Sequence, residues 1–354
     1  MSAETAAKRL KMDGPLIGTH NGHFHADEAL AVHMLRMLPE YASSSLVRTR
    51  DPAVLATCHT VVDVGGEYDE AAKRFDHHQR GFTTTFPGRP TKLSSAGLVY
   101  LHFGRALVAQ SLRNNGVENV SADDAKVDMM WRRIYESFIE ALDAHDNGIS
   151  LYDPALIAAN NIEKRFSNGG FTLGAMVGRL NRNWNDPTPS DPAEAQALED
   201  SHFLRASQRI GEEFEHELKY YTTAWLPARD VVQVAFEKRM EHDPQGRVLV
   251  FEGTSAPWKD HLYNLEDGKP SVLYVLYPEK PIPGAKWRVQ CVPESADSFQ
   301  SRKPLPVEWR GFRDEELSKI TGIDGGVFVH AAGFIGGNTT FEGAKAMALK
   351  ALGM

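Results

Sequence analysis

The sequence predicts an α/β protein: an N-terminal parallel sheet with helices on both faces, followed by a smaller α+β domain. Three observations predict this fold. In the first half, short apolar runs that suit buried strands alternate with segments of helical periodicity. Polar clusters directly follow three of these runs, as at the carboxyl edge of a parallel sheet. In the second half, strand-like runs follow one another and a helix closes the chain.

The elements of the first half follow from its apolar spacing. Strands are predicted at 16–19 and 60–64. A further strand begins at 46, and another ends at 75. A helix over 29–38 ends before Pro39, because proline cannot continue it. Two further helices are predicted over 93–112 and about 123–142.

The second half begins after a stretch rich in Asn, Asp and Pro over 183–190. Apolar residues at three- and four-residue steps over 192–221 then predict a long helix that braces two domains or a homodimer. The strands beyond it are predicted at 248–251, 272–277, 287–292 and 327–329, and the last helix at 343–352. The predicted organisation is a flexible N-terminus over 1–14, a first domain over 15–185, a linker and connecting helix over 186–225, and a second domain over 226–354.

The charge of the chain limits its partners. With 39 Lys and Arg against 47 Asp and Glu, the net charge is −8, which argues against general adhesion to nucleic acid or to an anionic membrane. A nucleic-acid substrate held by metals and a local basic patch remains compatible. Two isolated cysteines predict a reducing compartment without disulfides. There is neither an apolar run of membrane-spanning length nor the apolar core of a secretory signal, so we expect no membrane partner and no secretion.

Histidine and aspartate side chains at the strand ends are the candidate metal ligands. Three imidazoles and three carboxylates suit two divalent ions better than one, with Asp63 as the predicted bridge. Nitrogen and oxygen ligands together suit Mn²⁺, Zn²⁺ or Fe²⁺, whereas Mg²⁺ would depend on the carboxylates. Asp146 competes with Asp143 for the last position, and His23 either supports the ligands or belongs to the core. The predicted ligands are His20, His25, Asp27, Asp63, His77 and Asp143.

Neighbouring polar residues have two interpretations each. Asp76 and His78 either orient the ligands or contact a phosphate, and for the whole stretch 74–79 the alternative is a solvated turn. Ser94 and Ser95 at a helix start either bind a phosphate through backbone N–H groups or cap the helix. A structural role is predicted for the isolated histidines His33, His59, His102 and His145.

In the second domain, positive charge stands beside aromatic residues. Lys259 follows Trp258 and Arg288 follows Trp287, a combination that suits base stacking and phosphate contact but is also common at protein interfaces. The run 325–337 carries His330 and Gly333 between glycines. It either holds a phosphate or ribose at the start of a following helix, or is a glycine-rich turn with a buried histidine.

These motifs together resemble a known family. Asp76-His77-His78 resembles the signature of the DHH phosphoesterase superfamily, although His25 stands where the usual first motif has a carboxylate. The match is closer to one branch, the melanocyte-proliferating-gene-one family, and covers the chain from Leu16 to the last helix. The segments that carry it are 19–28, 63–66, 93–100, 143–148 and the His330 loop.

The resemblance implies a metal-dependent 3′-to-5′ exoribonuclease, located in the nucleus or mitochondria, with the cytoplasm as an alternative. We expect two Mn²⁺ or Mg²⁺ ions and, as substrate, single-stranded RNA or a short oligonucleotide. His78 would contact the scissile phosphate. The terminal nucleotide would contact Lys259, Arg288 and His330. Two alternatives are a phosphohydrolase acting on pyrophosphate or another small phosphoester, and a non-catalytic metal-binding scaffold.

Overall fold

The computed structural model describes residues 14–167, 169–269, 271–296 and 298–354. The chain divides into two compact units, the first ending at Thr222 and the second beginning at Thr223. Apart from Gly14, the predicted flexible N-terminus over 1–14 lies outside the described residues. None of the helices in the described ranges combines the length and the apolarity that crossing a lipid bilayer requires.

The sheet of the first unit has the strand order β2-β1-β3-β5-β4. Its members are β1 (Leu16–Thr19), β2 (Ser45–Arg48), β3 (Thr60–Val62), β4 (Tyr68–Asp69) and β5 (Arg74–Phe75). Four strands run parallel, which confirms the predicted parallel sheet. The sequence did not predict β4, which folds back on β5 and makes that edge antiparallel.

The first unit also contains α-helices. They are α1 (Ala26–Met37), α2 (Pro52–Leu55), α3 (Ser95–Asn114), α4 (Ala125–Ile134), α5 (Glu140–Asp146), α6 (Pro154–Ala159), α7 (Leu173–Gly178) and α8 (Pro192–Tyr220). The segment predicted as one helix over 123–142 is interrupted by a π-helical turn at Tyr135–Ile139. Such turns are frequent at functional sites.

Helix α1 is the centre of the core of the first unit. It is buried almost all round because α3 and α8 both pack against it. Gly211 of α8 permits the close approach, since a Cβ atom there would overlap the ring of His33. The predicted connecting helix therefore packs within the first unit, and its position fixes the loop that leads into α1.

The second unit contains a five-stranded sheet in the order β6-β7-β8-β10-β9. Its elements are α9 (Leu226–Glu237), β6 (Val248–Val250), α10 (Lys259–Glu266), β7 (Tyr274–Pro278), β8 (Trp287–Cys291), α11 (Asp314–Thr321), β9 (Gly326–Val329), β10 (Ile335–Asn338) and α12 (Phe341–Gly353). Only β6 and β7 pair in parallel among these strands. Helix α12 covers one face, and α9 with α10 covers the other. The predicted α+β architecture is confirmed.

The glycine-rich run 325–337 corrects one prediction. No helix begins directly after His330: the chain turns at Gly333 and returns as β10, which pairs with both β8 and β9. Gly337 lies so close to β8 that a Cβ atom would stand 2.8 Å from the carbonyl oxygen of Trp287. The glycines therefore serve close strand packing, and the prediction of a helix directly after His330 is wrong.

Candidate metal centre

The polar clusters predicted at the carboxyl edge of the sheet lie together. Strands β1, β3 and β5 each end immediately before one of them. They line a cleft of 720 Å³ that is formed by residues of the first unit. The cleft therefore lies where ligands bind in parallel sheets, at the carboxyl ends of the strands.

The first group of ligand atoms belongs to His20, His25, Glu28 and Asp63, and these atoms lie within 4.8 Å of one another. His20 Nε2 is 3.1 Å from Glu28 Oε1 and 3.4 Å from Asp63 Oδ2. His25 is exposed at the start of α1, whereas Glu28 is completely buried and its Oε2 has no hydrogen-bonding partner. A buried oxygen without a partner is costly, so it indicates room for a cation.

A second group consists of Asp27, His77 and Asp146. His77 Nε2 lies 3.0 Å from Asp146 Oδ2 and 3.5 Å from Asp63 Oδ1. Although the side chain is buried, neither ring nitrogen makes a hydrogen bond of good geometry. Asp63 also belongs to a third group of possible ligands, together with His77 and His78.

Asp63 is held in an unusual conformation and in its ionised form. Its φ of 56° is in the left-handed region, which non-glycine residues adopt rarely and mostly where surrounding structure imposes it. Burial opposes ionisation, but the close His20 and His77 rings outweigh burial and lower the pKa of Asp63. Burial lowers the pKa of His20, but contacts with Asp63 and Glu28 outweigh it and raise this pKa to about 10. Without cations, the imidazoles balance the carboxylate charge.

Asp27 is fixed by the start of α3. Its carboxylate accepts hydrogen bonds from Ser95 N at 3.0 Å, Ala96 N at 2.6 Å and Ser94 Oγ at 2.5 Å. Both serines are fully buried. This corrects the expectation that Ser94 and Ser95 bind the substrate phosphate, because the N–H groups of this helix start already bind a carboxylate of the protein.

The carboxylate beside His77 is that of Asp146 rather than that of Asp143. Asp143 is completely buried. It accepts hydrogen bonds from Ser94 N at 3.0 Å and Tyr135 Oη at 2.8 Å, and its Oδ1 lies 2.7 Å from Ser94 Oγ. Burial raises the pKa of Asp143 to about 7, against the opposing effect of the Ser94 hydrogen bonds. Asp143 therefore supports the helix start that holds Asp27.

Asp76 orients His78. Its Oδ1 accepts from the His78 backbone N at 3.1 Å and lies 2.7 Å from His78 Nδ1, while Oδ2 accepts from Gly66 N at 2.6 Å. Asp76 is buried and the His78 side chain is 62% exposed. Of the two, only His78 offers a largely exposed side chain for contact with a ligand in the cleft.

Sequence reasoning missed several residues of this site. Glu28 was not selected as a ligand, and Arg50 was not selected at all although it lies just beyond β2, at the same edge as the other clusters. His145, predicted to be structural, is exposed and lines the cleft against Gly174. The signal for Arg50 was its position after a predicted strand. His23 is exposed and lines the cleft, with its ring 5.6 Å from that of His25.

The predicted substrate residues of the second unit lie on or near its sheet. The Arg288 guanidinium stands 4.9 Å from the centre of the Phe328 ring and pairs with Glu279 at 2.9 Å. His330 is exposed beside Phe334, with ring centres 4.6 Å apart, and Lys259 is exposed at the start of α10. Gly333 is buried, and a Cβ atom there would meet Arg310 Nε at 2.5 Å.

Comparison with known proteins identifies the family. The family model MYG1_exonuc, described as "Uncharacterised protein family (UPF0160)", matches residues 16–352. MYG1 exonuclease from Homo sapiens is 47% identical over 95% of this chain and 85% of its own, and MYG1 protein YER156C from Saccharomyces cerevisiae is 41% identical over 98% and 99%. A pGpG-specific phosphodiesterase from Vibrio cholerae aligns over 96% of this chain and 97% of its own at 16% identity, but its TM-score of 0.22 does not establish a shared fold. Because the family model and these relatives cover almost the whole sequence, the chain belongs to the MYG1_exonuc family.

Proposed function

We propose that the protein is a metal-dependent exonuclease that hydrolyses phosphodiester bonds of RNA from the 3′ end. The observation that carries the proposal is the convergence of imidazoles and carboxylates from three strand ends and α5 on one cleft. The name of the human, bovine and mouse relatives, MYG1 exonuclease, supports nuclease activity. The RNA substrate, the 3′-to-5′ direction and a nuclear or mitochondrial location come from the motif resemblance alone.

The donor set fits two divalent cations. One would be held by His20, His25 and Glu28, the other by Asp27, His77 and Asp146, with Asp63 between them. The unpartnered Glu28 Oε2 and the His77 ring support this assignment, because a cation would satisfy the buried oxygen and one of the two buried ring nitrogens. Bound Mn²⁺ or Mg²⁺ ions would activate water and neutralise negative charge on a phosphate.

Two side chains of the cleft are suited to the substrate itself. His78 is exposed, and Asp76 fixes its ring through Nδ1 and raises its pKa, so the protonated ring would donate a hydrogen bond to the scissile phosphate from Nε2. Arg50 is exposed on another wall and would bind phosphate oxygens through its planar guanidinium. Both residues leave the carboxylates free to bind the ions.

The charge of the cleft favours a phosphodiester over pyrophosphate. Among the described residues that line the cleft, Arg50 is the one Lys or Arg side chain. Pyrophosphate carries several negative charges in a small volume and would need more cationic side chains at short range. A phosphodiester carries one negative charge per phosphate, which two ions and one arginine can balance.

The test is hydrolysis of a short RNA labelled at its 5′ end, with Mn²⁺, by the wild-type protein and by the Asp63→Ala and His77→Ala variants. We expect the wild type to shorten the RNA one nucleotide at a time from the 3′ end. The two variants should lose at least about a hundredfold in rate. Circular dichroism checks that they fold. Undiminished turnover by both variants would refute the proposal, and cleavage only from the 5′ end would refute its direction.

A further inference from the structure

A second, smaller pocket adjoins the metal cleft. Its volume is 150 Å³, and it shares His23 and Phe24 with the cleft as lining residues. The other wall comes from the loop before α8 and from α8 itself, including Asn183, Glu199 and His202. We propose that this pocket binds a nucleobase of the substrate, guanine in preference to other bases. The proposal rests on the proposed nuclease function and adds base specificity to it.

The walls of the pocket are rigidly built. Asn181 clamps the backbone of Phe24, accepting from its N–H at 3.0 Å and donating to its carbonyl oxygen at 2.9 Å. Arg182 donates to the carbonyl oxygens of Asp186 and Pro187 and to Thr188 Oγ1, which fixes the opposite rim. A pocket formed before its ligand arrives avoids the entropic cost of ordering its walls on binding.

Two of the polar groups that line the pocket, on Glu199 and His202, are hydrogen-bond acceptors. His202 Nδ1 lies 2.8 Å from the carbonyl oxygen of Leu180, so Nδ1 carries the proton and Nε2 of the neutral ring is an acceptor. Glu199 is three residues away on the same face of α8. Within the described part of the chain, neither Nε2 nor the Glu199 carboxylate has a hydrogen-bonding partner. Glu199 and His202 thus present two acceptors to the N–H donors of a ligand.

Guanine matches this pattern better than other bases. Its Watson–Crick edge places an N1–H and an N2 amino group side by side, so that a carboxylate can accept from both at once. Adenine, cytosine and uracil do not offer two adjacent N–H donors on that edge. His23, at the boundary between cleft and pocket, provides an exposed ring on which a base can stack. This contact gives His23 a role that its sequence position left open.

The first test uses ligand-observed NMR to measure how tightly guanosine 5′-monophosphate and adenosine 5′-monophosphate bind to the full-length protein in EDTA. We expect the wild type to bind the guanine nucleotide at least about tenfold more tightly, the discrimination that one bidentate base contact supplies. Glu199→Gln and His202→Ala should remove this preference. Glu194→Gln is the matched control, because Glu194 lies in the first turn of α8 and does not line the pocket.

A second test separates base specificity from the nuclease function. Initial rates are measured with Mn²⁺ on tetranucleotides that carry one guanine in a uridine background, and on the base-free bis(p-nitrophenyl) phosphate. Glu199→Gln should lose the guanine preference and keep the base-free rate, whereas Asp63→Ala should lose all hydrolysis and keep nucleotide binding. Equal binding of the two nucleotides by the wild type, or a preference that survives Glu199→Gln, would overturn the pocket assignment. Neither result would affect the metal centre.

Discussion

Arg48 Nε donates a hydrogen bond over 3.1 Å to the carbonyl oxygen of His20. Its Nη2 donates over 2.7 Å to the carbonyl oxygen of Gly22. The guanidinium is buried and stands 4.8 Å from the centre of the Phe203 ring of α8. One arginine at the end of β2 therefore fixes the backbone of a loop whose side chains belong to the candidate metal centre.

Replacing Arg48 with methionine should weaken both folding and metal binding. The His20 and Gly22 carbonyl groups would lose their donor, at a cost of about 1–3 kcal/mol in the free energy of unfolding. Loss of a group that orients a ligand typically reduces metal affinity by roughly 10–100-fold. Urea denaturation in EDTA measures the first effect, and calorimetric titration with Mn²⁺ measures the second.

Arg50→Met is the matched control for this variant. Arg50 is two residues away and exposed, and no hydrogen bond from it is present in the described residues. We expect its stability and its Mn²⁺ affinity to equal those of the wild type, with only substrate binding weakened. If the two variants bound Mn²⁺ equally well, Arg48 would have no role in positioning the loop.

The two neighbouring carboxylates of α5 should behave differently towards metal. Asp146→Asn removes the carboxylate 3.0 Å from His77 Nε2, and we expect Mn²⁺ affinity to fall by at least the roughly 10–100-fold that loss of a supporting partner costs. Asp143→Asn should retain most of the affinity, because both of its oxygens are bonded to Ser94 and Tyr135. Calorimetric titration of both variants checks this difference, and the reverse order would identify Asp143 as the ligand.

The free energy of unfolding of the metal-free protein should depend on pH through the ionisation of Asp143. Its pKa is about 7 when folded and near 3.8 ordinarily, so between these values the folded state binds more protons than the unfolded state. Raising the pH through this range therefore favours unfolding, and the stabilisation that protonated Asp143 gives the folded state is lost by pH 7. The stabilisation that protonated His20 gives is lost at higher pH, as its raised pKa of about 10 is approached.

Asp143→Asn isolates this contribution. We expect the stability of the variant relative to wild type to rise between about pH 4 and pH 7, by on the order of a few kcal/mol, and to stay constant above pH 7. Urea denaturation in EDTA at several pH values measures the difference. A difference that does not change with pH would show that Asp143 ionises with an unshifted pKa.

Elements with a strong local signal could be predicted from the sequence. Helix α8 was predicted over 192–221 and spans Pro192–Tyr220, and β8 was expected at 287–292 and spans Trp287–Cys291. Strand β10 was missed because Gly336 and Gly337 give it weak strand propensity, and pairing with distant β8 holds it in place. Pairing partners remote in sequence leave no local pattern.

The residues of the site likewise include some that a local rule could predict and others that depend on packing between distant segments. The strand-end rule located His20, Asp63 and His77 because it depends only on where a parallel strand ends. It could not choose between Asp143 and Asp146, since that choice depends on how α5 is turned against α3. Glu28 gave no separate signal, because acidic residues are common in the first turn of any helix.

Gly97 sets the distance between α3 and Asp143, and its replacement by alanine should be destabilising. A Cβ atom there would overlap the Asp143 carboxylate, so the carboxylate would have to move away from Ser94 and Tyr135. We expect a loss of roughly 1–3 kcal/mol, the usual cost of overpacking a core, although alanine normally improves a helix by about 1 kcal/mol.

Gly178→Ala is the control that separates this steric effect from helix propensity. Gly178 ends α7, and no atom lies within 4 Å of the position its Cβ would take. We expect the midpoint of urea denaturation to be unchanged or slightly raised for Gly178→Ala and clearly lowered for Gly97→Ala. Because the displaced carboxylate also anchors the serine that holds Asp27, Gly97→Ala should bind Mn²⁺ more weakly as well. A Gly97→Ala protein as stable as the wild type would mean that Asp143 does not lie against this turn of α3.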